Sequence, residues 1–525
     1  MNRSADTDVT DAEARTVSVN LSTRYLAIGV EMLVGLLVLP FNVAHLGKAA
    51  YGLWMLTTSV TAYFSVLDLG YSGAIVKFVA EHRARRDTRA LNEVLSTTFY
   101  LFAGFAVVAY LVAIVIAVFL GRLLHIGPDQ LFAGRVVLLV TSVNVAFGMT
   151  FTVFGGVING FQRYDLNNVT GAISSVIVAV VNVLVLVAGY GLIALVVATT
   201  TVRVLTYWVY RANAYRVFPA LAIRLANFRA SRLRALTSFS VFMMLIDWAN
   251  RINYSIDAIV IGMILDTSAV AVWSIGQRLA ETTQRLTNQL NDILFPNVVD
   301  HSASSRLDRL QTLFLVATRL SLATVVPIGV ALILMADLLV RAWVGPDFSG
   351  SVVVVRLLAL AVMVRVGTAV SGTLLKGAGA HQFVAYTNVV TAIVNLALSI
   401  VLARTIGLAG VAIGTLVPVG FTGMFVIFPT GCRRVGLPIT RALADAVWPA
   451  IWPAAAMAAY LALTRPLLRA SLAAVLANMA LSVVVYAAAF LAFGVSATER
   501  RFVLSRVFEV TARVRVLRPS PQGQA

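Results

Sequence analysis

The sequence predicts an all-α polytopic membrane protein of fourteen transmembrane helices. Two six-helix lobes related by a 219-residue repeat are followed by two extra C-terminal helices. Composition, apolar runs and the repeat support this fold class. Of the 525 residues, 59% are hydrophobic and 12% are charged, whereas a soluble domain averages about 45–50% apolar and about 25% charged. This composition excludes an ordinary soluble enzyme, and it excludes a disordered chain, which would be poor in large apolar side chains.

The apolar runs give the number of membrane spans. A membrane helix needs about 20 mostly apolar residues, and fourteen such runs follow one another along the chain. An even number of spans places both termini on one side of the membrane. Numbered in chain order, the predicted spans are 20–43, 50–79, 92–120, 136–158, 169–188, 192–209, 237–264, 269–298, 310–336, 352–375, 383–403, 410–429, 442–463 and 471–493.

The basic residues predict which side faces the cytoplasm. A net charge of +18 usually suggests nucleic-acid binding, but a mean hydropathy of +0.88 is that of a bilayer protein. We therefore interpret the basic residues as topology signals and predict no nucleic-acid partner. Loops on the side of the termini hold 26 of the 41 Lys and Arg, loops on the other side hold seven, and eight lie inside spans. Both termini are thus predicted to be cytoplasmic.

These boundaries divide the chain into regions. The first residues are acidic where a cleavable signal peptide would be basic, and the polar run to about Ser18 is predicted to be disordered. A single cysteine, Cys432, rules out an internal disulfide. The regions are a cytoplasmic tail at 1–19, the N-lobe at 20–209, a basic cytoplasmic linker at 210–235, the C-lobe at 236–430, spans 13 and 14 at 431–493, and a basic cytoplasmic tail at 494–525.

An internal repeat relates the two lobes. Tryptophans, turn glycines and basic inner loops coincide at a constant offset of 219 residues, as in Trp54 with Trp273 and Pro219 with Pro438. Six spans fit within this offset, so both copies have the same orientation in the membrane. The repeat predicts two lobes related by a pseudo-twofold axis along the membrane normal, which is typical of transporters with a site between the repeats.

Charged residues inside spans mark the candidate site, since a charge in hydrocarbon costs at least about 2.5–3.5 kcal/mol. Span 1 carries Arg24 and Glu31, seven residues apart and hence on one face. Span 7 carries Asp247 and Arg251 one turn apart, with Asp257 further along. We expect such side chains to face water, a charged partner or a ligand.

Spans 8 and 2, which are counterparts in the repeat, are also polar. Span 2 carries Asp68, followed by glycines that predict a bend in its inner half. No lipid-facing helix could carry the polar stripe of span 8, so it should line water or pack on polar groups. The stripe recurs at intervals of three and four residues and consists of Arg278, Glu281, Arg285, Asn288 and Asp292.

Two interpretations of these charges remain open. In the first, they are internal ion pairs that hold the bundle together, for which their helical spacing is suitable. In the second, they line a cationic cavity that binds an anionic substrate group, and phosphate suits arginine because the planar guanidinium donates in pairs. The predicted substrate-binding residues are Arg24, Arg251, Arg278 and Arg285. The predicted charge-balancing or ion-coupling residues are Glu31, Asp68, Asp247 and Glu281.

The chain resembles the multidrug/oligosaccharidyl-lipid/polysaccharide exporter superfamily, and within it the Wzx-type polysaccharide flippases. The most specific stretch is Tyr51-Gly52-Leu53-Trp54, followed by residues 67–74 and the basic loop 78–87. The resemblance implies fourteen helices in two lobes and a central cavity. It also implies outward flipping of an undecaprenyl-diphosphate-linked sugar by alternating access, in a bacterial cytoplasmic membrane.

Alternative functions make different demands on the sequence. A lipid II flippase of the same superfamily would share this architecture and stays open. A small-molecule antiporter should have an acid-dominated cavity, whereas here arginine balances acid. A glycosyltransferase or polymerase usually needs a long outer loop, and the longest here is 121–135. We predict no enzymatic activity, metal or cofactor. The predicted partners are the lipid-linked anionic glycan, membrane lipids, a polysaccharide polymerase, glycosyltransferases and a coupling proton or sodium ion.

Overall fold

The computed structural model describes residues 3–68, 71–231, 256–303, 307–468, 471–495 and 500. Within these ranges every regular element is a helix, as the composition predicts. The described part of the chain before residue 232 contains six α-helices. They are α1 (Arg3–Ala62), α2 (Tyr71–Ala84), α3 (Thr88–Leu123), α4 (Pro128–Gly160), α5 (Tyr164–Val187) and α6 (Leu192–Val217).

The second half continues in the same manner. Residues 256–264 are helical. They are followed by α7 (Thr267–Ala303), α8 (Leu307–Val344) and α9 (Ser351–Gly377). The last three segments contain π-helical turns, at Thr422–Ile427, Leu443–Val447 and Phe490–Gly494. These segments are α10 (His381–Arg434), α11 (Ile439–Leu467) and α12 (Leu472–Gly494).

Ten helices of the described chain are long and apolar enough to cross a bilayer. The exposed side of α3 shows the environment that such a helix suits. Between residues 106 and 117 its buried residues are all alanines, such as Ala109 and Ala113, whereas Val107, Leu111 and Val115 are all more than half exposed. A water-soluble helix would bury the larger apolar side chains, so this inverted arrangement fits lipid contact and close packing through small residues. The chain is a multi-pass membrane protein.

The N-terminal residues correct one prediction. The polar run to Ser18 was expected to be disordered, but α1 begins at Arg3 and continues through it. Extending an existing helix requires no new nucleation, which is the costly step of helix formation.

Breaks in the long helices lie at glycines. Gly47 interrupts α1 with a φ of 74°, and Ile406–Gly407 interrupts α10, with Gly407 at a φ of 62°. Both glycines have positive φ angles, which residues with a Cβ rarely adopt. After α1 ends at Ala62, a 3-10 helix, Tyr63–Asp68, leads towards α2. The backbone therefore departs from a regular α-helix within predicted span 2, just before the glycines at which a bend was expected.

The chain divides into two compact units. The first comprises residues 1–278 and 381–418, and the second comprises residues 279–380 and 419–525. The first unit has a core in which Phe102 and Phe154 pack with the two valines of α4 at 153 and 157. The second has a core around Phe314 and Phe428. The predicted lobes 20–209 and 236–430 stay a prediction.

The basic linker is fixed to α3 over its described part. The side chain of Asn92 donates to the Ala220 carbonyl at 2.9 Å and accepts from the Ala222 amide at 2.8 Å. Further along, the Arg229 amide donates to the Thr97 hydroxyl at 2.9 Å. Side chains near the start of α3 thus supply hydrogen-bond partners for the backbone of the linker, which is otherwise irregular.

Candidate functional site

The candidate site is built where α7 meets α1 within the first unit. Asp266 caps α7, since its carboxylate accepts a hydrogen bond from the Ala269 amide at 2.7 Å, the usual role of aspartate at a helix start. The backbone of α7 at Thr267 and Ala271 lies so close to Gly52 of α1 that a Cβ there would have no room. Glycine therefore allows the two helices into direct backbone contact.

Tyr51, beside this glycine, continues the contact along α7. The residue is 4% exposed, and its hydroxyl hydrogen-bonds with Ser274 and interacts electrostatically with Arg278. The Ser274 hydroxyl itself donates to the Ala271 carbonyl at 2.7 Å, which leaves its oxygen as acceptor for Tyr51. Trp273 is buried on the same turn and donates to Gln277 at 2.9 Å.

Arg278, one turn beyond Ser274, lies against Gly35 of α1. Its guanidinium occupies the space that a Cβ at Gly35 would need. At 1.5 Å per residue, Gly35 is about 22 Å along α1 from Asn20 and about 18 Å from the break at Gly47. Asn20 marks one end of the span, because its amide donates to the carbonyl of Gln162 in the α4–α5 loop at 3.0 Å. The guanidinium of Arg278 therefore lies near the middle of the span.

The predicted residues of span 1 lie on the same helix at different depths. Arg24 is exposed and is one turn from Asn20, so it lies near the end of α1. Glu31 is exposed and one turn from Gly35, on the side of α1 that reaches Arg278. Glu31 also interacts electrostatically with Tyr210 of α6. Glu31 thus lies one helical turn from the position on α1 that Arg278 contacts, whereas Arg24 lies about three turns from it.

The other predicted residues are placed less completely. Glu281 is half-buried and Arg285 exposed, further along α7 in the second unit. Asp68 ends the 3-10 helix, and its side chain lies outside the described part of the structure. Asp247 and Arg251 lie outside the described residues altogether. The expected convergence of all four arginines therefore stays a prediction.

Sequence reasoning missed the aromatic hydroxyls that accompany these charges. Tyr51 stands in the most specific stretch of the family resemblance, which was a signal for it. Tyr207 of α6 hydrogen-bonds the side-chain oxygen of Asn144 at 3.2 Å and interacts with Arg203. Nothing in the spacing of Tyr207 distinguishes it from an ordinary aromatic residue at a membrane interface.

No group of three or more His, Cys, Asp or Glu side chains in the described residues is arranged to hold a metal ion. The guanidinium of Arg278 is partly buried, lies near the middle of a span beside the hydroxyl of Tyr51, and has donors of the kind that an anion requires. Arginine donates two parallel hydrogen bonds to a phosphate oxygen pair.

The chain is similar over most of its length to proteins of known family and fold. A family described as "Polysaccharide biosynthesis protein" matches residues 19–301, a little over half of the chain. A probable flippase of Haloferax volcanii, AglR, is 22% identical over 390 residues, which cover 73% of this chain and 77% of the relative.

Solved structures show the same fold. The lipid II flippase MurJ, in an inward closed conformation, superposes with a TM-score of 0.69 at 14% identity over 91% of this chain and 98% of that chain. An inward-facing multidrug resistance transporter of the MATE family and MOP superfamily superposes with a TM-score of 0.58 at 16% identity. It covers 80% of this chain and 97% of that chain. At these identities the similarity establishes the fold alone.

Proposed function

The chain belongs to the polysaccharide biosynthesis protein family, and from this premise we propose that it flips a polyprenyl-diphosphate-linked oligosaccharide from the cytoplasmic to the outer leaflet. Alternating access between two inverted or parallel repeats is the mechanism that such folds use. The product would supply cell-surface polysaccharide biosynthesis. The matches bear out the resemblance to Wzx-type flippases. The relatives are named as flippases and transporters, which fits the prediction that the chain is not an enzyme.

The observation that carries the proposal is the environment of Arg278. The helix α7 is long enough to span a bilayer, with 37 residues, yet it is not among the ten apolar spans because of its polar stripe. The guanidinium of Arg278 lies against Gly35, near the middle of the span of α1 between Asn20 and Gly47. A cation at that depth is stable beside water, a carboxylate or an anionic ligand.

A lipid-linked diphosphate has an anionic group that suits Arg278 and an apolar tail that suits the bilayer. Its phosphates would pair with the planar guanidinium of Arg278, while its polyprenyl tail stays in the bilayer, where it loses no hydrophobic contact. The sugar would remain in water inside the cavity. In this proposal Arg24, Arg251 and Arg285 assist in holding the anion. The carboxylates Glu31, Asp68, Asp247 and Glu281 balance their charge or couple transport to an ion.

The helix ends support the proposed repeat and the count of fourteen spans. Six of the starts, ends and breaks in the first 217 residues recur in the second half at offsets that differ from 219 by at most two residues, whereas the start of α4 at Pro128 and that of α9 at Ser351 differ by 223. The pairs are Gly47 with Asp266, Thr88 with Leu307, Leu123 with Val344, Gly160 with Gly377, Val187 with Ile406, and Val217 with Arg434. Equal spacing of helix ends is expected when two copies of one unit fold alike.

The proposal also places the protein in a bacterial cytoplasmic membrane with both termini in the cytoplasm. The positive-inside distribution of 26 Lys and Arg against seven supports this orientation. It puts the linker 210–235 and the loop 77–91 on the cytoplasmic face. Glycosyltransferases that build the lipid-linked sugar would act on that face, and a polymerase would receive it on the other.

Reconstituted vesicles test the proposal. Flipping of a polyprenyl-diphosphate-linked oligosaccharide is measured for wild type, Arg278→Ala and Arg278→Lys, with the amount of folded protein measured in parallel. Charge-assisted hydrogen bonds are worth about 1.5–3 kcal/mol, so Arg278→Ala should lower the flipping rate by roughly 10- to 150-fold at unchanged abundance. Lysine should restore it partly, since an ammonium cannot make the paired contact.

Arg356→Ala is the matched control. Arg356 is an exposed arginine near a span end, and its Nε donates to the Ile333 carbonyl at 3.1 Å, so its removal should leave flipping unchanged. Low abundance of Arg278→Ala with normal flipping per molecule would show that Arg278 belongs to an internal ion pair. Flipping of lipid II in preference to the oligosaccharide would establish the alternative substrate.

A further inference from the structure

Three polar side chains form a row at the end of α6 that leads into the linker. They are Trp208, Arg211 and Tyr215, and their spacing of three and four residues places them on one face of the helix. The row extends about 10 Å along the helix axis. Predicted span 6 ends at residue 209, so the row lies at the edge of the bilayer, on the side that is predicted to be cytoplasmic.

The guanidinium of Arg211 lies against both aromatic rings of the row. Its Cζ is 5.3 Å from the centroid of the Trp208 ring and 5.2 Å from that of the Tyr215 ring. Both distances are within the range of about 6 Å over which an aromatic face attracts a cation. The two rings thus restrict an exposed arginine that would otherwise sample many rotamers.

Helix α4 holds the two rings in turn. Phe151 packs edge-on against Trp208 with the ring centroids 5.4 Å apart. Phe154 packs against Tyr215 with the centroids 6.3 Å apart, and Phe154 is itself buried in the core of the first unit. The row is therefore anchored in a packed core, and Arg211 is placed before any ligand arrives, which lowers the entropic cost of binding.

The polar groups of the row are available to a ligand. The guanidinium of Arg211, the indole N–H of Trp208 and the hydroxyl of Tyr215 form no hydrogen bond with any residue that the structure describes. Arg211 also forms no ion pair with a described carboxylate. All three groups donate hydrogen bonds, and one of them carries a positive charge. A row of donors without a carboxylate suits an anion.

The adjoining stripe of α6 has the composition of a lipid-facing surface. Val197, Leu205 and Val209 recur at intervals of eight and four residues, and all three are more than two-fifths exposed. Trp208 is 48% exposed and lies beside this stripe. Exposed apolar side chains on a membrane helix contact acyl chains, whose polar headgroups lie at the ends of the span. An anion that reaches Arg211 along this stripe is one that a lipid carries.

We propose that Trp208, Arg211 and Tyr215 bind the phosphate group of an anionic lipid at the cytoplasmic edge of the membrane. The planar guanidinium donates two hydrogen bonds to phosphate oxygens, and the indole and the phenol add one donor on each side. The acyl chains lie along the exposed stripe of α6. A zwitterionic headgroup binds less well, because its ammonium group finds no carboxylate in the row.

Two sources supply such a phosphate. Anionic phospholipids are abundant in the cytoplasmic leaflet, and the polyprenyl diphosphate of the proposed substrate carries the same group on a longer apolar chain. The chemistry of recognition is shared, so the test includes both lipids. Binding at this row stands without the proposed flipping activity, and its measurement involves no transport step.

Quenching of tryptophan fluorescence by brominated lipids measures which lipid lies at the row. The full chain is reconstituted in vesicles with brominated phosphatidylglycerol or brominated phosphatidylcholine at equal mole fractions. The signal of Trp208 is the difference between each protein and its Trp208→Phe counterpart. We expect phosphatidylglycerol to quench Trp208 more strongly, and equal quenching by the two lipids in the wild-type protein would overturn the proposal.

Substitution of Arg211 assigns the preference to this row. Arg211→Ala should lower the relative affinity for phosphatidylglycerol about tenfold or more, since charge-assisted hydrogen bonds are lost. Arg211→Lys should keep part of the preference, because it retains the charge and loses the paired contact. An unchanged preference in Arg211→Ala would overturn the proposal.

Arg85→Ala is the matched control. Arg85 is 68% exposed and pairs with Glu81 at 2.9 Å, in a loop that is also predicted to be cytoplasmic. The variant removes the same charge from the same side and should keep the full preference. A loss as large as that of Arg211→Ala would show diffuse attraction to a basic surface and would overturn the site.

Competition identifies the lipid. Unbrominated polyprenyl diphosphate and unbrominated phosphatidylglycerol are each added to the wild-type protein in brominated phosphatidylglycerol. Recovery of Trp208 fluorescence at a much lower mole fraction of polyprenyl diphosphate would assign the row to the carrier lipid of the substrate. Recovery at equal mole fractions would assign it to anionic phospholipid. No recovery with either lipid would overturn the proposal.

Discussion

Three glycines of α1 allow the contact between α1 and α7 to be tested by the same substitution in three environments. A Cβ at Gly29 would meet nothing within 4 Å, one at Gly35 would meet the guanidinium of Arg278, and one at Gly52 would meet the backbone of α7. Alanine is therefore expected to give three different outcomes along one helix. Each outcome follows from what the added methyl group touches.

The expected changes in the free energy of unfolding differ in sign among the three variants. Alanine is favoured over glycine within a helix by about 0.8–1.0 kcal/mol, so Gly29→Ala should be neutral or stabilising. Forcing extra volume into a packed contact costs about 1–3 kcal/mol. At Gly52 the atoms in the way belong to the backbone and cannot rotate aside, so the upper end applies. After the helix-propensity gain, we expect Gly52→Ala to lose about 2 kcal/mol.

Gly35→Ala should separate function from stability. The obstacle is the far end of a flexible side chain, which can swing away at little cost. The fold should then keep its stability, while Arg278 leaves the position that the flipping proposal requires. Flipping should fall towards the level of Arg278→Ala.

The assay pairs a thermal unfolding midpoint for each purified variant with its flipping rate in vesicles. The expected order of stability is Gly29→Ala at or above wild type, Gly35→Ala near wild type, and Gly52→Ala well below. If Gly52→Ala were as stable as Gly29→Ala, the close approach of α1 and α7 would be refuted. If Gly35→Ala flipped substrate normally, the position of Arg278 would not matter for transport.

Three further predictions test the linker, a surface ion pair and the topology. Asn92→Ala removes both hydrogen bonds to the linker backbone, should cost about 1 kcal/mol, and should speed proteolytic cleavage within 218–231. Arg465→Ala breaks the 2.7 Å ion pair with Asp337. Because both side chains are partly exposed, the free energy of unfolding should fall by less than about 1 kcal/mol. Leu225→Cys in a Cys432→Ala background should react in whole cells with a membrane-permeant maleimide and stay unlabelled by an impermeant one, since residue 225 is predicted to be cytoplasmic and its side chain is 68% exposed.

The sequence by itself determined the helices and their environment. A bilayer leaves the backbone no alternative to internal hydrogen bonding, so a run of about 20 apolar residues specifies a helix whatever surrounds it. The polar stripe that contains Arg278 was equally visible, because spacing of three and four residues defines one face. Breaks at Gly47 and Gly407 coincide with predicted span ends, since a positive φ suits glycine.

The helical start of α1 was not visible in the same way. The residues before Ser18 are polar, and composition alone predicted disorder. Their helix is an extension of one that already exists further along the chain, so local propensity was a poor guide. The predicted site residues Asp247 and Arg251 lie outside the described residues, and their roles stay a prediction.

Only the tertiary structure decided which side chains meet. Arg278 rests on Gly35, Tyr51 bonds Ser274, and Asp257 accepts from Thr415 at a separation of 158 residues. Helical periodicity fixes the face on which a residue lies, but the partner of that face depends on how helices cross. In membranes those crossings depend on where glycine allows backbones to touch, as Gly52 does here. These contacts are therefore properties of helix packing, which no single stretch of sequence contains.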